Sequence, residues 1–169
     1  MIKAIIYTSN TGFTKKYADI LSKEIAIPAF DLKEVGSNIN KKEEIIYMGW
    51  LMAGSIKNYK KALKKYNVKA TCAVGMALPN KKQYSDIIKK YNMKEKLFYL
   101  QGGYNKSKQK GIYKVMMDSL EKVVRPKLET KQNKNKQDLE MLEMLNNGKD
   151  CVKKENLNDI INWVKRVNK

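Results

Sequence analysis

Five short apolar runs rich in β-branched residues, each separated from the next by a loop or a stretch with helical spacing, constrain this 169-residue chain more than any other feature. Residues 2–7 read as the first strand, after which Phe13, Tyr17, Ile20, Leu21 and Ile25 recur at the spacing of one helix face. Residues 28–32, 44–49, 70–76 and 96–100 read as four more strands. Between the third and fourth, Ile56, Tyr59, Leu63 and Tyr66 mark a helix over residues 55–66, and residues 81–91 mark another before the fifth. Strands that are apolar on both faces, joined by helices of about a dozen residues, require right-handed crossovers and a buried parallel sheet. The pattern predicts an α/β fold: one domain over residues 1–169, doubly wound, with a five-stranded parallel sheet and helices on both faces.

After residue 104 the alternation stops. Ile112, Val115, Met116, Leu120, Val123 and Val124 form a helical stripe that is expected to end near Arg125 and Pro126. Residues 131–137 carry no apolar side chain and read as a linker; Leu139, Leu142 and Leu145 then restore helical spacing until Asn147 and Gly148. Leu157, Ile160, Ile161, Trp163 and Val164 predict a closing helix over residues 156–167 that packs back on the sheet. Residues 105–150 are therefore expected to form a helical insertion before the final helix.

The formal net charge is +18, and residues 105–137 are its densest part, with 10 basic side chains against 3 acidic ones. An anionic surface is expected to meet them, either a membrane or another anionic partner; the alternative is an ordinary solvated Lys-rich face. Nucleic acid fits poorly, because residues 127–137 have no aromatic side chain and Tyr113 stands alone.

The chain has no histidine, and Cys72 and Cys151 lie far apart outside any Cys-x-x-Cys pattern. That excludes a zinc finger, a disulfide framework and a histidine-based triad, and it leaves no metal ligand set. No apolar run approaches the ~20 residues of a membrane helix. The Ile and Lys alternation at the N-terminus lacks the apolar region and cleavage site of a secretory leader. The expected location is a reducing cytoplasm, with the periphery of the inner membrane surface as the place where the basic insertion would act.

Ligands of open α/β sheets bind beyond the carboxyl ends of the strands. The loop after the first strand reads Thr8, Ser9, Asn10, Thr11, Gly12, Phe13, Thr14: four hydroxyls, an amide and a glycine at the start of a helix. Unpaired N–H groups and the positive end of the helix dipole make this an anion site, and hydroxyl donors satisfy phosphate oxygens without a lysine. The loop has neither the Gly-Lys-Ser/Thr ending of a nucleoside triphosphate cradle nor the three spaced glycines of a dinucleotide fingerprint. A plain N-capped helix is the competing reading, although one hydroxyl would suffice for it.

Ile5, Ile6, Tyr7, Ser9, Gly12, Thr14 and Ala18 stand at the spacing of the flavodoxin signature, and the chain resembles that family. It departs at Ser22, where the signature usually has an apolar residue, a position that concerns helix packing rather than binding. The resemblance implies FMN as the cofactor, its phosphate held by Thr8, Ser9, Asn10, Thr11 and Thr14 with the backbone around Gly12 and Phe13.

Two further loops suit a flat ring. One reads Gly49, Trp50, Leu51, Met52, Ala53, Gly54, apolar where a surface loop is normally polar; Trp50 is the expected ring contact, with simple core cover as the alternative. The other reads Gln101, Gly102, Gly103, Tyr104, Asn105, with Tyr104 expected to stack. The basic charge and the long insertion depart from small acidic electron carriers, and the insertion is similar to that of flavodoxin-domain proteins of the protoporphyrinogen dehydrogenase type. The implied activity is electron transfer through the flavin, with a redox partner protein or a small-molecule donor or acceptor. Quinone-dependent porphyrinogen oxidation and a basic binding module remain open as alternatives. No catalytic side chain is required, because the cofactor carries the chemistry. The residues assign no oligomeric state.

Overall fold

The computed structural model describes residues 1–168. Its sheet runs β2 (Ala29–Asp31), β1 (Ala4–Thr8), β3 (Glu44–Met52), β5 (Asn67–Gly75), β6 (Lys96–Gln101), all parallel, with the two-residue β4 (Ser55–Ile56) antiparallel to the end of β3. Counting only the parallel strands, the order is 2-1-3-4-5, the doubly wound flavodoxin-like arrangement. The five expected strands are all present.

Alternation along the strands divides the core in two. Ile5, Tyr7, Ile46, Met48, Cys72 and Phe98 face α1 (Phe13–Ile25) and α6 (Asn158–Val167). Ala4, Ile6, Ile45, Tyr47, Ala73 and Tyr99 face α2 (Tyr59–Lys65) and α3 (Lys81–Tyr91). Cys72 is fully buried and its thiol is pushed up by that burial, which makes it a packing residue.

Three local expectations are corrected. Residues 49–54 are not a loop: β3 continues to Met52 and turns back through Ala53 and Gly54, both at positive φ, so that Leu51 pairs with Ile56 and Met52 with Ser55. That hairpin takes residues 55–56 out of the predicted helix, which shortens to α2. In the insertion, α4 spans Gly111–Thr130 and passes through Pro126 instead of stopping there. Pro126 is exposed, so the carbonyl that loses its N–H partner can turn to water.

α4 and α5 (Lys136–Asn147) pack as a pair, and α5 opens with a reciprocal cap between Asn135 and Asp138. The insertion leaves and rejoins the sheet through a small ribbon, β7 (Gly103–Tyr104) against β8 (Lys149–Asp150), with the Cys151 N–H donating to the Gly102 carbonyl at 2.8 Å. Tyr104, Met144, Leu145 and Cys151 make a third, smaller core beneath it.

Candidate functional site

The carboxyl ends of β1, β3, β5 and β6 open into one cavity of about 420 Å³, within the range of small-molecule sites. Its floor is the loop before α1. Gly12 caps that helix at φ +100°, a conformation strained for any side chain, and offers no capping group. Ser9 Oγ accepts from the Lys15 N–H at 3.3 Å, leaving the N–H groups of Phe13 and Thr14 at the helix start without an intrahelical partner. Ser9, Asn10, Thr11, Phe13 and Thr14 all line the cavity, and Thr14 is 1% exposed.

Thr8 does not join them. It lies on the same strand face as Ala4 and Ile6, where its hydroxyl accepts from the Asn58 amide at 3.4 Å and lies 3.0 Å from the Tyr47 hydroxyl, whose own proton goes to the Lys57 carbonyl at 2.5 Å. Burial holds the Tyr47 hydroxyl well above its ordinary range, so it stays protonated and donates to the Lys57 carbonyl beside Thr8. Gly12 shapes the loop without lining the cavity, and Gly49 is buried where a Cβ would meet the Ile56 side chain at 2.6 Å. Both glycines act on backbone geometry.

The hairpin supplies one wall through Trp50, Leu51, Met52, Ala53 and Gly54. Gly102, Gly103 and Tyr104 supply another. Gln101 lies outside the lining, and its amide donates to the Met76 carbonyl at 3.2 Å. Tyr104 is 2% exposed, and its hydroxyl donates to Glu121 of α4, so the ring anchors the insertion as well as bordering the cavity.

No protein-family model matches the chain, and no curated protein matches it.

The insertion forms the roof. Met116, Met117 and Leu120 of α4, with Met141 of α5, close over the cavity. One end is held by Tyr113, whose ring meets Trp50 edge to face at 5.0 Å while Lys57 Nζ lies 5.1 Å from the Tyr113 centroid. The other end is held by Glu121, buried in a helix that is otherwise half exposed. Besides Tyr104, it accepts from Lys106 at 2.7 Å and Arg125 at 3.3 Å, and Arg125 also donates to the Leu145 carbonyl at 2.7 Å. Burial is the largest single influence on the Glu121 carboxyl and raises it; the bonds from Lys106 and Tyr104 and the nearby charge together outweigh that and hold it below its ordinary value. Asn10 of the floor touches the insertion too, its amide donating to Gln109 at 3.2 Å.

The sequence reading missed the roof, Glu121 and the α3 wall that carries Gln83, Asp86 and Ile87. An acidic residue at an inward position of a Lys-rich helix was the available signal for Glu121; for the α3 residues only the topology gives one.

Proposed function

We propose that the cavity binds FMN and that the protein is a flavodoxin-like redox protein. The observation that carries this reading is a helix start rich in hydroxyls and unpaired N–H groups, opening into a deep apolar chamber with no lysine or arginine in its wall among the described residues. A phosphate at the floor would be held by Ser9, Thr11 and Thr14 and the N–H groups of Phe13 and Thr14, with Asn10 at its edge. An apolar ring would lie between the Trp50 to Gly54 hairpin and the Gly102 to Tyr104 turn, with the methionines of the roof above it. These donors fit the monoester phosphate of FMN and make no provision for a longer polyphosphate. Bound FMN supplies one- and two-electron transfer; the protein's own residues bind it, orient it and exclude water from it.

The roof favours a small-molecule donor or acceptor over a protein partner docking directly at the ring, since Met116, Met117, Leu120 and Met141 stand between ring and solvent. An insertion before the final helix is the feature on which the resemblance to flavodoxin-domain proteins of the protoporphyrinogen dehydrogenase type rests. A porphyrinogen's carboxylates, however, would find no cation in the cavity wall, and the broader redox reading is therefore the one taken.

A specific observation also favours apposition to an anionic membrane. Ile112, Val115 and Val123 are exposed along one side of α4, between 55% and 69%, in the most basic part of the chain. Among the described residues no helix is long and apolar enough to cross a membrane, and such a face lies on lipid rather than through it. Like charge, at +18 per chain, opposes a second copy on this face.

The test of the cofactor is titration of purified protein with FMN and with riboflavin, followed by flavin fluorescence. Binding at one flavin per chain, with FMN at least tenfold tighter, is the expected result; equal affinities would remove the phosphate site. Cosedimentation with vesicles rich in phosphatidylglycerol, compared with pure phosphatidylcholine, tests the lipid face, and Val115→Glu with Val123→Glu should abolish it.

A further inference from the structure

A second cavity, of about 430 Å³, lies between β4, the first turn of α2 and the end of α3. It is large enough for a small molecule and shares no lining residue with the cavity assigned to the flavin. Ser55 and Ile56 in its wall belong to the returning strand of the hairpin whose outgoing strand borders the flavin cavity.

Donors dominate its polar lining. Lys60 and Lys61 of α2 and Lys90 of α3 line it, and none of them forms an ion pair among the described residues. No described carboxylate lines it either. Two hydroxyls add to the lysines. Ser55 Oγ accepts from Lys90 Nζ at 2.6 Å, and the Tyr91 hydroxyl accepts from the Ile56 N–H at 2.8 Å. Each oxygen is thus engaged as an acceptor by the protein, while neither hydroxyl proton has an acceptor among the described residues. Both residues are half-buried, so both have surface that an occupant can touch. Tyr59 lines the cavity too, but its hydroxyl is committed to Glu95.

Positive charge and hydroxyl protons without acceptors call for an anion with several free oxygens. The donors come from three elements, β4, α2 and α3, and so reach an occupant from different sides. A phosphomonoester near neutral pH carries almost two charges and three free oxygens, whereas a diester carries one charge and two. The monoester therefore matches more of the lining. Lys89, next to Lys90 in the chain, is just as exposed but lies outside the cavity. It provides a charge of the same kind without the site.

We propose that this cavity is a second anion site, which takes the phosphomonoester group of a soluble compound or of a lipid headgroup. Lys90, Ser55 and Tyr91 donate to its oxygens, and Lys60 and Lys61 balance its charge. The site stands apart from the flavin reading, because it uses none of the residues assigned to FMN. Its occupant is held on the hairpin through Ser55.

The experiment is titration of the isotope-labelled full chain with methyl phosphate and with dimethyl phosphate, followed amide by amide in NMR spectra. Ser55, Ile56, Lys90 and Tyr91 report this site, while Phe13 and Thr14 report the loop before α1, so the two phosphate sites are read separately. Methyl phosphate is expected to shift the first group and to bind there about tenfold tighter than dimethyl phosphate. Lys90→Met and Ser55→Ala should each weaken it there about five- to tenfold and leave the response of Phe13 and Thr14 unaltered. Lys89→Met removes the same charge outside the cavity and should change the affinity by less than about twofold. No response at Ser55 and Tyr91, equal affinities for the two esters, or equal effects of Lys89→Met and Lys90→Met overturns the site. Cosedimentation with phosphatidylcholine vesicles carrying phosphatidic acid, a monoester, or phosphatidylglycerol, a diester, separates the two sources. Binding to phosphatidic acid that falls in Lys90→Met identifies the headgroup; binding that is the same in both chains identifies a soluble compound. If FMN leaves Phe13 and Thr14 unmoved while methyl phosphate moves Ser55 and Tyr91, the flavin reading falls and this site stands. The reverse pattern removes this site alone.

Discussion

Glu121 is the residue whose loss should open the roof. Its side chain is 7% exposed, and replacing it with alanine strands the Tyr104 hydroxyl, itself buried, at a cost of about 1–3 kcal/mol. Lys106 is 56% exposed, so its contribution belongs to the surface range of about 0.2–1 kcal/mol, while Arg125 at 29% contributes about 1 kcal/mol. Together these give about 3 kcal/mol for Glu121→Ala. Glu121→Gln keeps an acceptor for Tyr104 and loses only the charge, for about 1 kcal/mol. Because the roof rests on its own small core, the loss should appear as local opening. Hydrogen exchange followed by mass spectrometry should find α4 and α5 amides exchanging about a hundredfold faster in the alanine variant and about fivefold faster in the glutamine variant, with β1 and β5 unchanged. The carboxyl is held below its ordinary value of 4.5, so its contribution is complete above that pH and fades as pH falls through the lowered value. Glu121→Gln should remove that part of the acid dependence of roof protection. Two variants that exchange equally fast, or protection equal to that of the unaltered chain, would refute the assignment of Glu121 as the roof's anchor.

Three other outcomes follow from the site. Thr14→Ala should weaken FMN by about ten- to a hundredfold and riboflavin hardly at all, whereas Thr8→Val should leave FMN affinity intact and lower thermal stability, measured by flavin fluorescence and calorimetry. Gly75→Ala drives a Cβ into the Tyr99 hydroxyl and should cost about 1–3 kcal/mol in denaturant unfolding. The bound flavin's midpoint potential should fall by tens of millivolts as salt rises from about 0.01 M to about 1 M, because the positive field that favours added electrons is screened; an unchanged potential would mean that the net charge does not reach the ring.

The parallel sheet was legible because Ile5, Ile6, Ile45, Ile46 and Ala73 lie in runs too apolar to be anything but doubly buried. The β3–β4 hairpin was hidden because its turn uses Ala53 and Gly54 in place of the Asn-Gly that usually announces one, while Trp50 to Met52 continue the strand's apolar character. The floor loop was found as a segment but not sorted: strand alternation sends Thr8 to the α2 side, while the residues after it turn over the end of the sheet. Helical spacing identified α4 and α5 but left open which face is inward, a matter settled by Glu121, Met117 and Val124 meeting the rest of the fold. Gln83 and Asp86 gave no signal at all, since they join the cavity only through the position of α3 beside the end of β5.

The ribbon of β7 and β8 makes the insertion a separable part of the chain. Gly103 and Asp150 face each other across one ladder, so everything between them begins and ends at the same doorway. Closing such an excursion costs little more for forty residues than for ten. Replacing that excursion would change the wall that Met116, Met117, Leu120 and Met141 give the chamber and leave the parallel sheet and the loop before α1 as they are.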